Sequence, residues 1–242
     1  MDQRLRIGTA GWALPRDVHE HFGEGDSHLA RYATRINAAE INSSFHRPHQ
    51  RSLYERWAAA VPDGFRFCAK LPKTITHEKR LVDCGDLLAA FMDQAGGLGA
   101  KLHCLLVQLP PSFAFDASVA ASFLRLLRQT HAGSIAMEPR HATWFTPEAD
   151  EVLRGFRIAR VLADPVRHEP GRAPGGWPGL VYLRLHGSPR MYYSSYEPAV
   201  LQSLAQRMRL ALDEAEEAWC IFDNTASGAA TGNALDLLRQ LA

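Results

Sequence analysis

Eight short apolar runs recur along the chain, each followed by a helical or loop-like segment, and this rhythm limits the fold more than any other feature. The runs cover residues 6–9, 38–42, 65–70, 102–109, 134–138, 158–164, 180–186 and 219–224. A spacing of about 25 to 35 residues suits one β-loop-α unit per run. The connecting segments carry apolar stripes: Val119, Phe123, Leu126 and Leu127 share one helical face, and Leu201, Leu204, Met208 and Leu212 share another. Thr146-Pro147-Glu148 reads as an N-cap followed by a first-turn proline. The segment 166–179 is the exception, because RHEPGRAPGGWPG holds too much proline and glycine for a helix.

Eight such units in 242 residues match an α/β fold of one kind, a single (β/α)8 TIM-type barrel. One domain is expected over residues 1–242, with an irregular Pro/Gly-rich loop in place of a regular sixth helix. An open doubly wound sheet fits less well. Its usual phosphate turn, G-x-G-x-x-G, is not matched by Gly8-Thr9-Ala10-Gly11-Trp12, and no GK[ST] loop occurs.

Charge excludes one class of function. With 27 Lys+Arg against 26 Asp+Glu, the net charge of +1 does not provide the bulk positive field on which non-specific nucleic-acid binding depends. Only four of the basic residues are lysines, so Lys70, Lys73, Lys79 and Lys101 are each informative. Cys68, Cys84, Cys104 and Cys220 form no C-x-x-C pair and read as buried free thiols. With no apolar leader and no run near the ~18 residues of a membrane span, a cytoplasmic protein without membrane contact is expected.

Strand side chains alternate between faces, so each run can be sorted into an inward and an outward set. Glu40 and Asn42 share a face opposite Ile41; Cys68 and Lys70 share one opposite Phe67 and Ala69. Glu138 and Arg140 oppose Met137, while Tyr182, Arg184 and His186 oppose Leu183 and Leu185. Gln108, Asp164 and Asn224 close the fourth, sixth and eighth runs. Polar residues at the C-terminal ends of seven strands would ring the mouth of a barrel, where barrel active sites sit. Burying them together is costly unless they pair or bind something.

The stretches GTAGW, AEINSSFH, WAAAVPDGFRFCAKLPKTITHEKRL, LLVQLPPSF, MEPRHATWF, YLRLHG and IFDNTASGAATGNA, in that order along the chain, resemble the YecE-like family, a domain of unknown function catalogued as number seventy-two. The resemblance implies a TIM-type barrel and no established activity. His46 stands where members resemble tyrosine, and Asp223 precedes Asn224 where many resemble Asn-Asn.

Glu40 and Glu138, from different strands, are candidate proton-transfer groups, since two carboxylates with one raised pKa equip a site for acid and base work. His186 joins them as a third candidate catalyst, with His77 and His141 on loops behind it. Lys70, Arg140 and Arg184, with Lys73 nearby, suit a carboxylate or phosphate, and the helix start at Ser227-Gly228 could add backbone donors. Asn42, Gln108, Asp164, Tyr196 and Asn224 complete the expected substrate-binding set. Aromatic residues Trp12, Phe45, Trp144, Trp177, Tyr192, Tyr193 and Tyr196 would stand in loops around the mouth.

The expected function is acid/base chemistry on a small anionic substrate, as a hydrolase, lyase or isomerase with no redox cofactor. No metal is expected, although Glu138, Asp164 and His186 are one conceivable ligand set. A nucleic-acid phosphodiesterase or binder, and a non-catalytic ligand-binding protein, are the rivals.

Overall fold

The structure is a computed structural model that describes residues 2–242. Its strands are β1 (Leu5–Ala10), β2 (Ala38–Ile41), β3 (Arg66–Lys70), β4 (Leu102–Gln108), β5 (Ser134–Glu138), β6 (Ala159–Arg160), β7 (Leu162–Asp164), β8 (Gly175–Gly176), β9 (Leu180–Leu185) and β10 (Glu217–Phe222). They form one sheet in the order β7-β9-β10-β1-β2-β3-β4-β5-β6-β8, parallel except for β8.

The run expected as the sixth strand explains how this sheet closes. Its first piece, β6, pairs with β5 through Ala159↔Ala136 and Arg160↔Met137. Its second, β7, pairs with β9 through Leu162↔Leu183 and Asp164↔Leu185. Val161 sits at the changeover, its N–H still donating to Met137 O at 2.8 Å. One stave therefore bonds to β5 on one side and to β9 on the other, and the result is an eight-staved TIM-type barrel.

Among the described residues, seven helices surround it: α1 (His28–Tyr32), α2 (Arg51–Ala59), α3 (Gly85–Ala95), α4 (Ala117–Thr130), α5 (Pro147–Gly155), α6 (Pro198–Glu214) and α7 (Ala229–Leu241). The apolar stripes fall where the sequence puts them, with Phe123 and Leu127 buried on α4 and Leu201, Leu204 and Met208 buried on α6. Thr146 caps α5, its hydroxyl accepting from Ala149 N. No regular helix follows β7. Glu169–Arg172 forms one 3-10 turn, and β8 then runs antiparallel to β6, with Gly176 at φ 69 where a left-handed residue is needed. Among the described residues, no helix is long and apolar enough to cross a membrane.

Two apolar layers hold the barrel. Outward residues such as Ile41, Phe67 and Met137 pack on the helices. The lumen is filled by small residues, Ala38, Ala136 and Ala159, against two large ones, Tyr182 and Trp219, whose rings stack at 5.8 Å. Small residues opposite large ones let a narrow barrel fill without voids. Gly8 marks the closest backbone approach: a Cβ there would lie 2.3 Å from Ala38 O on the neighbouring strand. All four cysteines are free and buried.

Candidate active site

The inward parity that fills the lumen with Ala38, Cys68, Ala136 and Tyr182 continues upward to Glu40, Lys70, Glu138 and Arg184. Arg184, fully buried, is the hub. Its Nε and Nη2 donate to Glu40 Oε2 and Oε1 at 2.9 and 2.6 Å, and its Nη1 donates to Glu138 Oε2 at 2.6 Å. Nη2 also reaches Asp223 Oδ2 at 3.2 Å. Tyr182 adds a hydroxyl donor to Glu40 Oε2 at 3.1 Å, so both oxygens of Glu40 are engaged.

His186 stands one pleat above Arg184 with a carboxylate at each ring nitrogen, Asp223 Oδ2 at 2.9 Å from Nδ1 and Glu138 Oε1 at 3.1 Å from Nε2. Burial works against a charged imidazolium, yet the charge of Glu138 and the hydrogen bonds to Asp223 and Glu138 outweigh it and raise the pKa. Arg140 closes the group from above, with Nε 2.8 Å and Nη2 2.5 Å from Glu138 Oε1. Burial alone would raise the Glu138 pKa; Arg184, His186 and Arg140 together drive it well below the carboxylate range. This reverses the expectation that Glu138 could be the carboxylate with a raised pKa. Glu138 stays ionised, and His186 holds its proton more tightly than a free imidazole does.

Lys70 differs from the other cations. Its Nζ donates to Asn42 Oδ1 at 3.0 Å and lies 4.1 Å from the centre of the Phe45 ring, and no carboxylate of the described residues is within ion-pair distance of it. Burial, with Arg184 adding like-charge repulsion, lowers its pKa to about 8. Phe45 also meets His77 edge-on at 5.0 Å. Burial and the charges of Lys70 and Arg140 lower the His77 pKa, so this imidazole is neutral at pH 7. His77 lies on a widened helical turn, Thr74–Glu78, a distortion often found at functional sites.

Other expected residues lie elsewhere. Asp164 and Asn224 fall on the opposite parity from the lumen residues Ala163 and Ile221, and point away from the charged cluster. Tyr196 donates to Asp164 Oδ2 at 2.7 Å and accepts from Gly187 N at 2.8 Å. Asn224 donates to Ser194 O and to Asn233 Oδ1 at 2.9 and 2.8 Å. Asp164, Tyr196 and Asn224 thus pin the loop after β9 from behind, and that loop brings Tyr192 edge-on to His186 at 5.7 Å. Gln108 ends β4 beside Glu138 in the register, half-buried and without a side-chain partner among the described residues.

Glu138 and His186 meet, but Asp164 does not join them, and no metal-binding cluster of His, Cys, Asp or Glu occurs among the described residues. Two guanidinium groups beside Glu138 also oppose a bound cation. The aromatic ring is only partly realised: Phe45 and Tyr192 reach the site, whereas Trp144 is buried, its Nε1 donating to Phe113 O, and Trp12 packs on Trp57. Trp177 stacks with Arg157 in a cleft at the other end of the barrel, beside Arg6 and Glu217. A cavity of about 610 Å³ lies on the outer wall between α5 and α6, over the sheet surface left without a helix; it holds no acid/base cluster.

Asp223 is the residue that parity finds and the expected set omits. It continues the inward series Trp219, Ile221, Asp223 and supplies the second carboxylate of His186. Asp223→Asn is expected to lower the His186 pKa by about one unit or more. The elevated His186 pKa stabilises the fold below its ordinary value of 6.5, and that contribution fades as pH rises through the folded value. The variant should therefore lose the most stability below about pH 6.5, with the deficit shrinking as pH rises through the folded value. A ring-proton NMR titration checks this; an unmoved His186 pKa would contradict the coupling.

The family described as "Protein of unknown function DUF72" matches residues 6–242. The chain belongs to the DUF72 family. Its curated relatives include the UPF0759 protein YecE of Escherichia coli K12, 32% identical over 165 residues, an alignment covering 66% of this chain and 59% of that protein. A DUF72 protein from Enterococcus faecalis V583 superposes with a TM-score of 0.81 at 22% identity, covering 98% of this chain and 95% of its own. Another from Thermotoga maritima MSB8 gives 0.79 at 23% identity, covering 98% of each chain. These structures share the barrel, and the DUF72 description assigns it no chemistry.

Proposed function

We propose that the mouth of the barrel binds a small carboxylate or phosphate and carries out acid/base chemistry on it. The observation that carries this reading is Lys70. Arg184, Arg140 and His186 pair with the three carboxylates Glu40, Glu138 and Asp223, and Lys70 pairs with none of them. Lys70 is then a surplus cation, buried with one neutral acceptor for three N–H donors. An anion supplied by substrate would complete the set, and Arg140 at the rim is placed to share it.

The roles divide by environment. His186 serves as the acid and Glu138 as its charge partner; Lys70, nearly half neutral at pH 8, is the base. Glu40, held by Arg184 and Tyr182, is a positioning residue in this scheme. A nucleic-acid phosphodiesterase has less support, because a net charge of +1 gives the chain no bulk positive field for a polyanion. Four buried free thiols fit the reducing cytoplasm that we propose as its compartment.

The test is thermal denaturation at pH 7 with inorganic phosphate, oxalate and pyruvate over the millimolar range. An anion at 100 times its Kd stabilises the native state by about 2.7 kcal/mol. The expected result is a rise in Tm with at least one anion that is abolished in Lys70→Met. No rise with any of them, or an equal rise in the variant, would overturn the proposal.

A further inference from the structure

Resting on the anionic reading of the mouth, we infer that Lys70 is a covalent group, forming an imine with the carbonyl carbon of a 2-oxo carboxylate. The side chain ends an inward strand position, is 5% exposed, and lacks the carboxylate partner that would hold an ordinary buried lysine protonated and inert. A lysine becomes nucleophilic when it is desolvated or placed beside another cation, and Lys70 has both conditions. Its pKa of about 8 agrees with that placement.

The substrate class follows from the surroundings. Arg140 binds Glu138 through Nε and Nη2, with Nη2 also 3.3 Å from His186 Nε2 and Tyr192 beside the guanidinium; among the described residues no hydrogen bond within the site engages its Nη1, which is the atom offered to a substrate carboxylate. His77 packs edge-on against the Phe45 ring at 5.0 Å, the same ring that Lys70 Nζ meets at 4.1 Å, so both side chains border one aromatic wall of the mouth. Its Nδ1 meets the Thr76 hydroxyl at 2.9 Å, and its Nε2 has no partner among the described residues. A carboxylate on Arg140 with a carbonyl on the adjacent carbon places the electrophile toward Lys70. A simple aldehyde lacks the first anchor, and a phosphate lacks the electrophile.

The step balances without any further reactant. The Lys70 ammonium gives one proton to neutral His77. The Nζ lone pair attacks the carbonyl carbon as the C=O π pair moves to oxygen, and a proton passing from nitrogen to oxygen gives the carbinolamine. Protonated His77 then returns its proton to the hydroxyl. Water leaves as the nitrogen lone pair forms C=N, so the products are a protonated imine and one water, with His77 neutral again.

The experiment is borohydride trapping on the full chain with pyruvate, 2-oxobutyrate, oxaloacetate and 2-oxoglutarate, followed by peptide mapping. Only four lysines occur, and Lys73, Lys79 and Lys101 act as internal controls. The expected result is a reduced adduct near one per chain at Lys70 with at least one oxo acid, background labelling at the other three, and faster trapping at pH 8 than at pH 6. His77→Asn should slow trapping by about a hundredfold while leaving Tm and the final adduct yield unchanged. Labelling of Lys70 no greater than that of Lys73 and Lys79 with every oxo acid overturns the imine. If anions still raise Tm in that protein, the anionic reading survives; if they do not, both fall.

Discussion

Replacing Arg184 with alanine is expected to cost about 3 to 5 kcal/mol of folding stability at pH 7, because it leaves Glu40 and Glu138 buried without their main cation. For a chain of this size, that corresponds to a fall in Tm of roughly 10 °C or more. The sign of the pH dependence separates this cause from simple loss of packing. In the native protein the Glu138 pKa is depressed, so its stabilisation is present above the ordinary value of 4.5 and is lost as pH falls through the folded value. Without Arg184 the buried carboxylates titrate upward, and proton uptake on acidification stabilises the variant relative to its unfolded chain. The deficit should therefore be largest at pH 7 and above and shrink toward pH 5. Urea titrations of both proteins at pH 5 and 7 measure it. A loss below about 1 kcal/mol, or one independent of pH, would remove Arg184 from the centre of the network.

That network explains how far the sequence was readable. Alternation along a strand is a local property, and it identifies Glu40, Lys70, Glu138, Arg184 and His186 because each lies two residues beyond a lumen-facing neighbour. Strand ends are less legible. In the sixth stave Ala159, Val161 and Ala163 face inward, so Asp164 is on the outward side although it is the last polar residue of its run. The same parity assigns Asp223 to the lumen and Asn224 to the loop that it pins. The split of that stave into β6 and β7 is a property of closure: it depends on which strand lies on each side, and no local pattern carries that. Partner choice was equally hidden. One charged residue from each of β2, β5 and β9 converges on a single ion network, and only the three-dimensional arrangement shows that Lys70 is excluded from it.

Lys70→Met is expected to raise stability at pH 7 by about 1 to 3 kcal/mol, the opposite of what loss of a buried structural lysine would do. A fall of the pKa from 10.5 to about 8 means that folding disfavours the protonated form by roughly 3 kcal/mol at neutral pH, at about 1.4 kcal/mol per unit. Methionine keeps the length of the stem and its contact with Phe45, and sulfur sits well against an aromatic ring. Asn42 loses its donor, which offsets part of the gain. A lysine whose folded pKa is depressed destabilises the native state below that value, and the penalty is relieved as pH rises from about 8 toward 10.5. The difference between variant and native protein should thus be largest at pH 7 and close to zero near pH 10.5, a comparison in which the other titrating groups cancel. Denaturant midpoints across that range provide the measurement. A variant less stable than the native protein at pH 7 would make Lys70 part of the scaffold and remove the surplus charge on which the anionic site is argued. A more stable one would show that the fold keeps a charge it does not need for stability, at the one position where a substrate anion would need it.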